Sequence, residues 1–448
     1  MLAGNNSRRH VLALQTYSNS NEKMTMLTRF PLRPLALAAA LLAPAIANAT
    51  NGYFSHGYGA KGLGMAGVGI ALPQDALAAA SNPAGTAAVG DRLDLGLSLF
   101  APRRGADIVG NAFGPNASYS GSGKKTFFIP EFGFTKKLSS TTHVGLAVYG
   151  NGGMNTEYAS NPYARFGATG KAGVNLEQLF IAPSVAYKVN DDHTFGAALI
   201  LAHQRFEATG IGFFGGFSAA PGNVSNQGTD TSNGAGVRLG WTGKVAPNVT
   251  LGATWASKID GRFDKYRGLF ADNGGFDIPE NFGLGLAVEA SKDLTLAADL
   301  QHIRYSKVGA VGNPVASLFN GTKQLGSANG PGFGWRDVTV LKIGANYRLQ
   351  QDLTVRGGLS YTTQPVRSSE TFFNVLAPGV VQTHLTLGAT WTAPGGGELS
   401  GYYAYGFGKT VNGANSIPPG LPPGGFGGGN ANGSLRENIF GISYGWKL

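Results

Sequence analysis

The 448-residue sequence contains no cysteine and few charged residues. Without cysteine the chain can form neither a disulfide nor a thiolate metal site. Charged residues make up 13% of the chain, about half of the roughly 25% usual in soluble domains. The net charge of +10 is not gathered into a basic stripe, so we expect no nucleic-acid partner.

The sequence also lacks the apolar runs of a helical membrane protein, which needs about 18 or more consecutive apolar residues per span. The chain is 42% hydrophobic, its mean hydropathy is −0.04, and it contains 70 glycines. The apolar residues must therefore be dispersed. Such dispersion, with 10% aromatic residues, favours short strands that have one apolar and one polar face.

The most apolar segment lies near the amino terminus. Residues 35–49 read LALAAALLAPAIANA, follow Arg29 and Arg33, and end in Ala47-Asn48-Ala49. A basic start, a short apolar stretch and small residues at the end are typical of a secretory signal peptide. We therefore predict that residues 1–49 are a cleaved leader, with the residues before Met24 or Met26 either an upstream misread start or an extended basic region.

From Asp91 to Leu448 the sequence alternates between apolar and polar residues. The first case is Leu93, Leu95, Leu97 and Leu99, separated by Arg92, Asp94, Gly96 and Ser98. Alternation with a period of two places all apolar side chains on one face of a strand. Each apolar run has the length of a tilted membrane strand, about 9 to 11 residues.

The connections between these runs alternate in length. Six short turns lie near 139–142, 190–193, 246–248, 291–293, 350–352 and 394–397. Seven long loops lie near 102–125, 151–176, 207–233, 259–280, 305–334, 364–381 and 409–434. This arrangement predicts an all-β fold with a 14-stranded antiparallel transmembrane barrel over residues 91–448, located in a Gram-negative outer membrane. The final alternating strand indicates recognition by the barrel-insertion machinery, and the membrane's lipid and lipopolysaccharide are expected partners.

Residues 50–90 form a separate unit rich in glycine and alanine. Asn51-Gly52-Tyr53 precedes GYGAKGLGMAGVGIALPQDALAAASNPAG at 57–85. This segment resembles the FadL/TodX family of outer-membrane channels for long-chain fatty acids and aromatic hydrocarbons, as do residues 148–158 and 277–289. The resemblance implies an N-terminal hatch inside the barrel, containing the motif Asn82-Pro83-Ala84. It also implies capture of a hydrophobic ligand by the loops, binding in the lumen and lateral release through the wall.

Candidate residues for each stage follow from their types and positions. Phenylalanine and leucine in two long loops suggest a capture surface, or else packing between loops: Phe213, Phe214, Phe217, Phe263, Leu269, Phe270 and Phe276. Lys342, Arg348 and Arg356 are predicted to face the lumen, as partners of a ligand headgroup or as structural charges. Gly150, Gly152 and Gly153 indicate a strand kink or a plain loop start.

Other functions receive less support. GISYG at 441–445 matches the serine-hydrolase pattern but lies within a predicted strand, where no nucleophile elbow can form. The histidines are scattered, so we expect no enzyme, no metal site and no cofactor. A general diffusion porin for small hydrophilic solutes remains the alternative, although such a pore has no need of a plug. A barrel with its own plug can work alone, so we expect a monomer.

Overall fold

The computed structural model describes residues 51–421 and 424–448. The predicted leader lies outside the described residues. The described strands are β1 Arg92–Val109, β2 Ala117–Ser120, β3 Phe127–Lys137, β4 Thr142–Tyr158, β5 Ala172–Lys188, β6 His193–Thr209, β7 Asp230–Ala246, β8 Val249–Ala256, β9 Asn281–Glu289, β10 Leu294–Ile303, β11 Val338–Arg348, β12 Leu353–Thr362, β13 Thr383–Thr392, β14 Glu398–Val411 and β15 Asn430–Lys447.

The strands form one closed antiparallel barrel. Each wall strand pairs with its neighbours in sequence, and β15 pairs with β1 from Arg92↔Lys447 to Val109↔Asn430. The short β2 pairs only with the outer end of β1, at Gly105–Ile108, and belongs to the first long loop. The wall therefore has 14 strands, which confirms the prediction.

Helices are short and lie in the connections and in the N-terminal segment. The α-helical turns are Ala60–Leu63, Ala78–Ser81, Gly309–Gly312, Ala316–Phe319 and Thr371–Asn374; Ala271–Gly274 is a turn whose middle residues are left-handed. The 3-10 turns are Pro83–Ala87, Ala164–Phe166, Gly212–Phe217, Pro221–Asn223, Asp264–Tyr266, Tyr305–Lys307 and Ser368–Glu370. None of the helices in the described ranges is long and apolar enough to cross a membrane.

The two faces of the wall follow the predicted alternation. In β1, Leu95 and Leu97 are 37% and 45% exposed, whereas Asp94 and Ser98 are buried. The same holds around the ring, where exposed Leu, Ile, Val and aromatic side chains form an outer belt. In water such a continuous apolar surface would drive aggregation, so it is the surface that meets lipid.

Strand lengths differ from the predicted 9 to 11 residues. The 14 wall strands range from 8 residues in β8 to 18 in β1 and β15, and each of β4 to β7 has 17. The outer part of β7 is polar, yet Asp230–Gly236 still pairs with β6. Backbone pairing continues beyond the lipid without apolar alternation, so these loops begin later and end earlier than predicted.

We expect Leu284→Arg to destabilise the barrel by about 2–4 kcal/mol, the usual cost of a cation on the lipid face near mid-membrane. Leu284 is 61% exposed on β9, and Leu421, 74% exposed in a loop, is the matched control. Leu421→Arg should change stability by less than about 0.5 kcal/mol. Guanidinium chloride titration of barrels folded into lipid vesicles measures both. Equal small effects would mean that the Leu284 face does not contact lipid.

Candidate functional site

The N-terminal segment, residues 51–90, lies inside the barrel. Inward-facing glycines on distant strands lie in close contact with this segment. A Cβ added to Gly133 would lie 2.6 Å from Leu77, one added to Gly252 would lie 2.5 Å from Ile70, and one added to Gly358 would lie 2.6 Å from Met65. These glycines belong to β3, β8 and β12. One short segment can approach all of these strands only from within the ring, so it occupies the lumen.

The motif Asn82-Pro83-Ala84 attaches this segment to β6 and β7. The Asn82 side-chain amide donates to the carbonyls of Ile70 at 2.8 Å and Trp241 at 2.9 Å, and its oxygen accepts from the Ala84 N–H at 3.1 Å. Asn82 is fully buried and caps the 3-10 turn Pro83–Ala87. The motif thus stiffens a turn and connects it to the wall.

A charged network holds the segment near the short-turn end. Lys61 forms an ion pair with Glu398 at 2.5 Å. Arg92 forms ion pairs with both Glu398, at 2.9 Å, and Asp94, at 2.7 Å. Asp94 also accepts the Ala76 N–H at 2.9 Å. Burial, and then the neighbouring Asp94 carboxylate, raise the pKa of Asp75 to about 6. Lys61, Arg92, Asp94 and Glu398 are therefore each paired within this network, as burial requires.

The three predicted headgroup cations have different positions. Lys342 faces the lumen, where its Nζ donates to the Gly67 carbonyl at 3.3 Å. Arg356 also faces inward and donates to Gln74 at 2.9 Å and Thr390 at 2.7 Å. Both cations are thus bonded to the N-terminal segment. Arg348 ends β11 at the rim, is exposed, and bonds Asp293 in a short turn, and its role as a headgroup partner stays a prediction.

An outer aromatic cluster joins five long loops at the opposite end of the barrel. Its hub is Phe426, which is buried and whose ring centroid lies 5.5–6.1 Å from those of five other phenylalanines: Phe166, Phe213, Phe217, Phe319 and Phe372. Phe213, Phe214 and Phe217 were predicted to form a capture surface. Phe213 and Phe217 are half-buried, and Phe214 is buried. The sequence analysis did not identify Phe426. A single phenylalanine in a stretch of glycine and proline is the signal that could have found it.

Of the other predicted loop residues, Phe263, Phe270 and Phe276 belong to an inner aromatic cluster, and Leu269 is buried in the same core. Phe263, Leu269, Phe270 and Phe276 are at most 7% exposed. Their burial does not fit an exposed capture surface, because β6 and the N-terminal segment cover them. The cluster consists of Tyr53, Phe54, Phe206, Phe263, Tyr266, Phe270, Phe276, Tyr305, Phe333 and Trp335. It occupies the lumen between the loops and the rest of the segment.

The glycines Gly150, Gly152 and Gly153 lie inside β4, which continues to Tyr158, and they do not begin a loop. The pairing with β5 shifts by one residue between Gly150 and Gly152. In the described ladder, β3 pairs with β4 only from Phe132↔Val148 to Lys137↔His143, although β3 pairs with β1 as far as Phe127. The wall is therefore interrupted between residues 127–131 and the outer part of β4.

The start of the N-terminal segment contacts this interruption. The Gly153 N–H donates to the Tyr53 carbonyl at 2.9 Å, and the Ser55 N–H donates to the Asn151 carbonyl at 2.7 Å. A Cβ on Gly152 would lie only 1.8 Å from the Tyr53 oxygen. Glycine at position 152 therefore permits the close approach of segment and bulge.

A narrow cavity lies on the lumenal side of the interruption. It is lined by β1, β4, β15 and the loop 363–382, through Phe100, Pro102, Arg104, Gly153, Met154, Asn155, Ala377, Pro378, Gly379, Leu435 and Glu437. Most of the lining is apolar, and the buried Glu437 Oε1 and Arg104 Nε have no hydrogen-bond partner in the described structure. The cavity thus has an apolar body and a polar end.

The structure also unites polar residues that are far apart in sequence. Ser360 Oγ lies 3.4 Å from His384 Nδ1, and His384 Nε2 lies 3.1 Å from Glu437 Oε2. His56 of the segment stacks on His384 at 5.3 Å. All four residues are at most 1% exposed, so this cluster packs the segment against the wall. Among the described residues, no group of His, Asp and Glu is placed to hold a metal ion.

The closed barrel, its lipid-facing belt and its occupied lumen define an outer-membrane β-barrel protein. The chain belongs to the family of outer membrane protein transport proteins (OMPP1/FadL/TodX), whose model matches residues 40–417. No curated protein sequence matches this chain.

Solved structures share this fold at low sequence identity. A Pseudomonas aeruginosa FadL homologue is 16% identical with a TM-score of 0.67. The match covers 88% of this chain and 99% of the homologue. The Pseudomonas putida toluene transporter TodX is 18% identical with a TM-score of 0.61, covering 88% and 99%. The Ralstonia pickettii toluene transporter TbuX is 20% identical with a TM-score of 0.58, covering 87% and 98%.

We expect Gly240→Ala to loosen the N-terminal segment, because the new Cβ would lie 1.9 Å from Asn82 Oδ1. Such overpacking usually costs about 1–3 kcal/mol. Gly401→Ala is the matched strand control, since its nearest atom would be 3.8 Å away. In planar bilayers, the small-ion conductance of the Gly240 variant should rise, with the control unchanged. Wild-type conductance together with a wild-type melting temperature would contradict this account of the segment.

Proposed function

We propose that this protein is an outer-membrane channel for hydrophobic compounds, either long-chain fatty acids or aromatic hydrocarbons. The observation that carries the proposal is the outer aromatic cluster. Water-facing loops are normally polar, yet five of these loops meet around Phe426 and leave Phe213 and Phe217 partly exposed. An apolar patch on an extracellular surface is suited to collecting apolar molecules from water.

The proposed route continues inward from the loops. A ligand captured near Phe217 would pass into the apolar lumen and reach the cavity beside Met154 and Gly153. Transfer between the two aromatic clusters keeps the apolar surface of the ligand away from water at each stage. Burial of that surface is favourable by about 25 cal/mol per Å². Fatty-acid and aromatic ligands share this requirement, so the route supports both classes.

We propose that the ligand leaves sideways through the interruption between β3 and β4. Pro130 lies in the stretch of β3 without a β4 partner, and proline has no N–H to leave unsatisfied at such an edge. The cavity lies directly inside the same part of the wall. Lateral release would place an apolar ligand in the membrane without crossing the periplasmic end of the lumen.

We further propose that residues 51–90 act as a hatch, with Asn82-Pro83-Ala84 as its anchor. A segment bonded to Asp299, Lys342, Arg356 and Glu398 obstructs straight aqueous passage along the barrel axis. A general porin needs an open aqueous lumen, so this obstruction favours the hydrophobic channel. We assign the protein no catalytic role.

Uptake of radiolabelled oleate, toluene and a small hydrophilic sugar by cells that produce the protein tests the proposed function. Entry of oleate or toluene should depend on the protein. The compound that enters identifies the ligand class. Sugar should be excluded by the intact protein and admitted by a variant without residues 50–85. Free passage of sugar through the intact protein, with neither apolar compound accelerated, would establish the porin alternative instead.

Deleting Asn151 tests lateral release, because it removes the extra residue of the β4 bulge and allows β4 to continue its pairing with β3. We expect uptake of the apolar ligand to fall to the level of cells that lack the protein. The control is deletion of Val245, the extra residue of a bulge in β7 beside a short turn. Both barrels should show heat-modifiable gel mobility, which reports folding. Wild-type uptake by a folded Asn151-deleted barrel would refute lateral release at this site.

A further inference from the structure

A basic groove lies on the outside of the barrel, where β1, β14, β15 and the first long loop meet. Its volume is about 410 Å³, and four exposed cations line it: Arg103, Lys125, Lys409 and Arg436. The other polar side chains of its lining include the hydroxyls of Ser120, Ser122, Thr410 and Ser434. No carboxylate is among the described lining residues, so every ionisable group on the groove is a cation.

Backbone pairing forces these cations together. Arg103 lies directly opposite Arg436 in the β1–β15 ladder, and like charges in such cross-strand positions are destabilising. A register shift between Gly406 and Lys409 places Lys409 opposite Leu435, beside Arg436. None of the four side chains forms an ion pair or hydrogen bond with another described residue. An anion in the groove would relieve this repulsion.

The groove lies just beyond the lipid-facing belt, towards the long loops. In β1 the outward residues run from Leu97 and Leu99 through Ala101 to Arg103, and in β15 Arg436 lies four residues before the outward Phe440. With about 3.3 Å of rise per residue, the cations lie roughly 7–13 Å along the strands from the last apolar side chains. Strand tilt of about 40° reduces this to about 5–10 Å along the membrane normal. The cations therefore lie within or at the outer edge of the headgroup layer, which is about 5–8 Å thick on each side of a bilayer.

We propose that this groove binds a phosphate group of lipid A, the phosphorylated lipid anchor of lipopolysaccharide in the outer leaflet. The Arg103 and Arg436 guanidiniums can donate paired hydrogen bonds to phosphate oxygens, a geometry that guanidinium matches closely. Lys409 and Lys125 add positive charge, and the surrounding hydroxyls supply further donors. The acyl chains of the same molecule would lie along the apolar belt below. This assignment is independent of what the lumen transports.

The test compares lipid binding by wild type and by the triple variant Arg103→Gln, Arg436→Gln, Lys409→Gln, using native mass spectrometry of delipidated protein titrated with diphosphoryl lipid A. We expect affinity to fall on the order of a hundredfold, from about 1 kcal/mol per basic residue at an anionic surface. The matched control is Lys244→Gln with Lys292→Gln, exposed cations near the short turns. Its binding should equal that of wild type.

Two further titrations identify the ligand. Lipid A without phosphates should bind the wild type as weakly as diphosphoryl lipid A binds the triple variant, and millimolar inorganic phosphate should not displace bound lipid A. Equal binding by wild type and triple variant, or equal binding of phosphorylated and phosphate-free lipid A, would overturn the proposal. Full displacement by inorganic phosphate would also overturn it, because the groove would then be a site for free anions.

Discussion

The requirement that every backbone hydrogen bond be satisfied within lipid governs the rest of this structure. An unpaired N–H or carbonyl in hydrocarbon costs several kcal/mol, so a sheet that spans a membrane must close. Here the 18-residue ladder between β1 and β15 closes it. The interruption between β3 and β4 leaves backbone groups without their ladder partners. Under this constraint, other groups must satisfy those backbone donors and acceptors.

The lumenal segment supplies part of that compensation. Residues 53 and 55 exchange backbone hydrogen bonds with Gly153 and Asn151, in the bulge of β4. The same segment is attached elsewhere to wall residues such as Asp299, which accepts the Gly69 N–H at 2.8 Å. The lumenal segment and the interrupted part of the wall are therefore directly connected.

Strand number, facing and membrane location were predictable from the sequence because each depends on local alternation and on the lengths of the connections. The positions of the loop phenylalanines were only partly predictable. Phe217 and Phe263 look alike in sequence, yet Phe217 lies at the outer surface and Phe263 is buried inside the barrel. Alternation did not distinguish Lys342, which bonds Gly67 of the lumenal segment, from Arg348, which bonds Asp293 in a short turn, because it carries no information on how far along the barrel a residue lies.

The sequence by itself determined a closed barrel, since a period of two and alternating loop lengths act over neighbouring residues along the chain. Only the tertiary structure decided where five loops converge on Phe426, how the lumenal segment meets the β4 bulge, and that Arg103 lies opposite Arg436. These relations join residues tens to hundreds of positions apart. They depend on strand register and on barrel closure, which bring distant residues into contact without a local signal in the sequence.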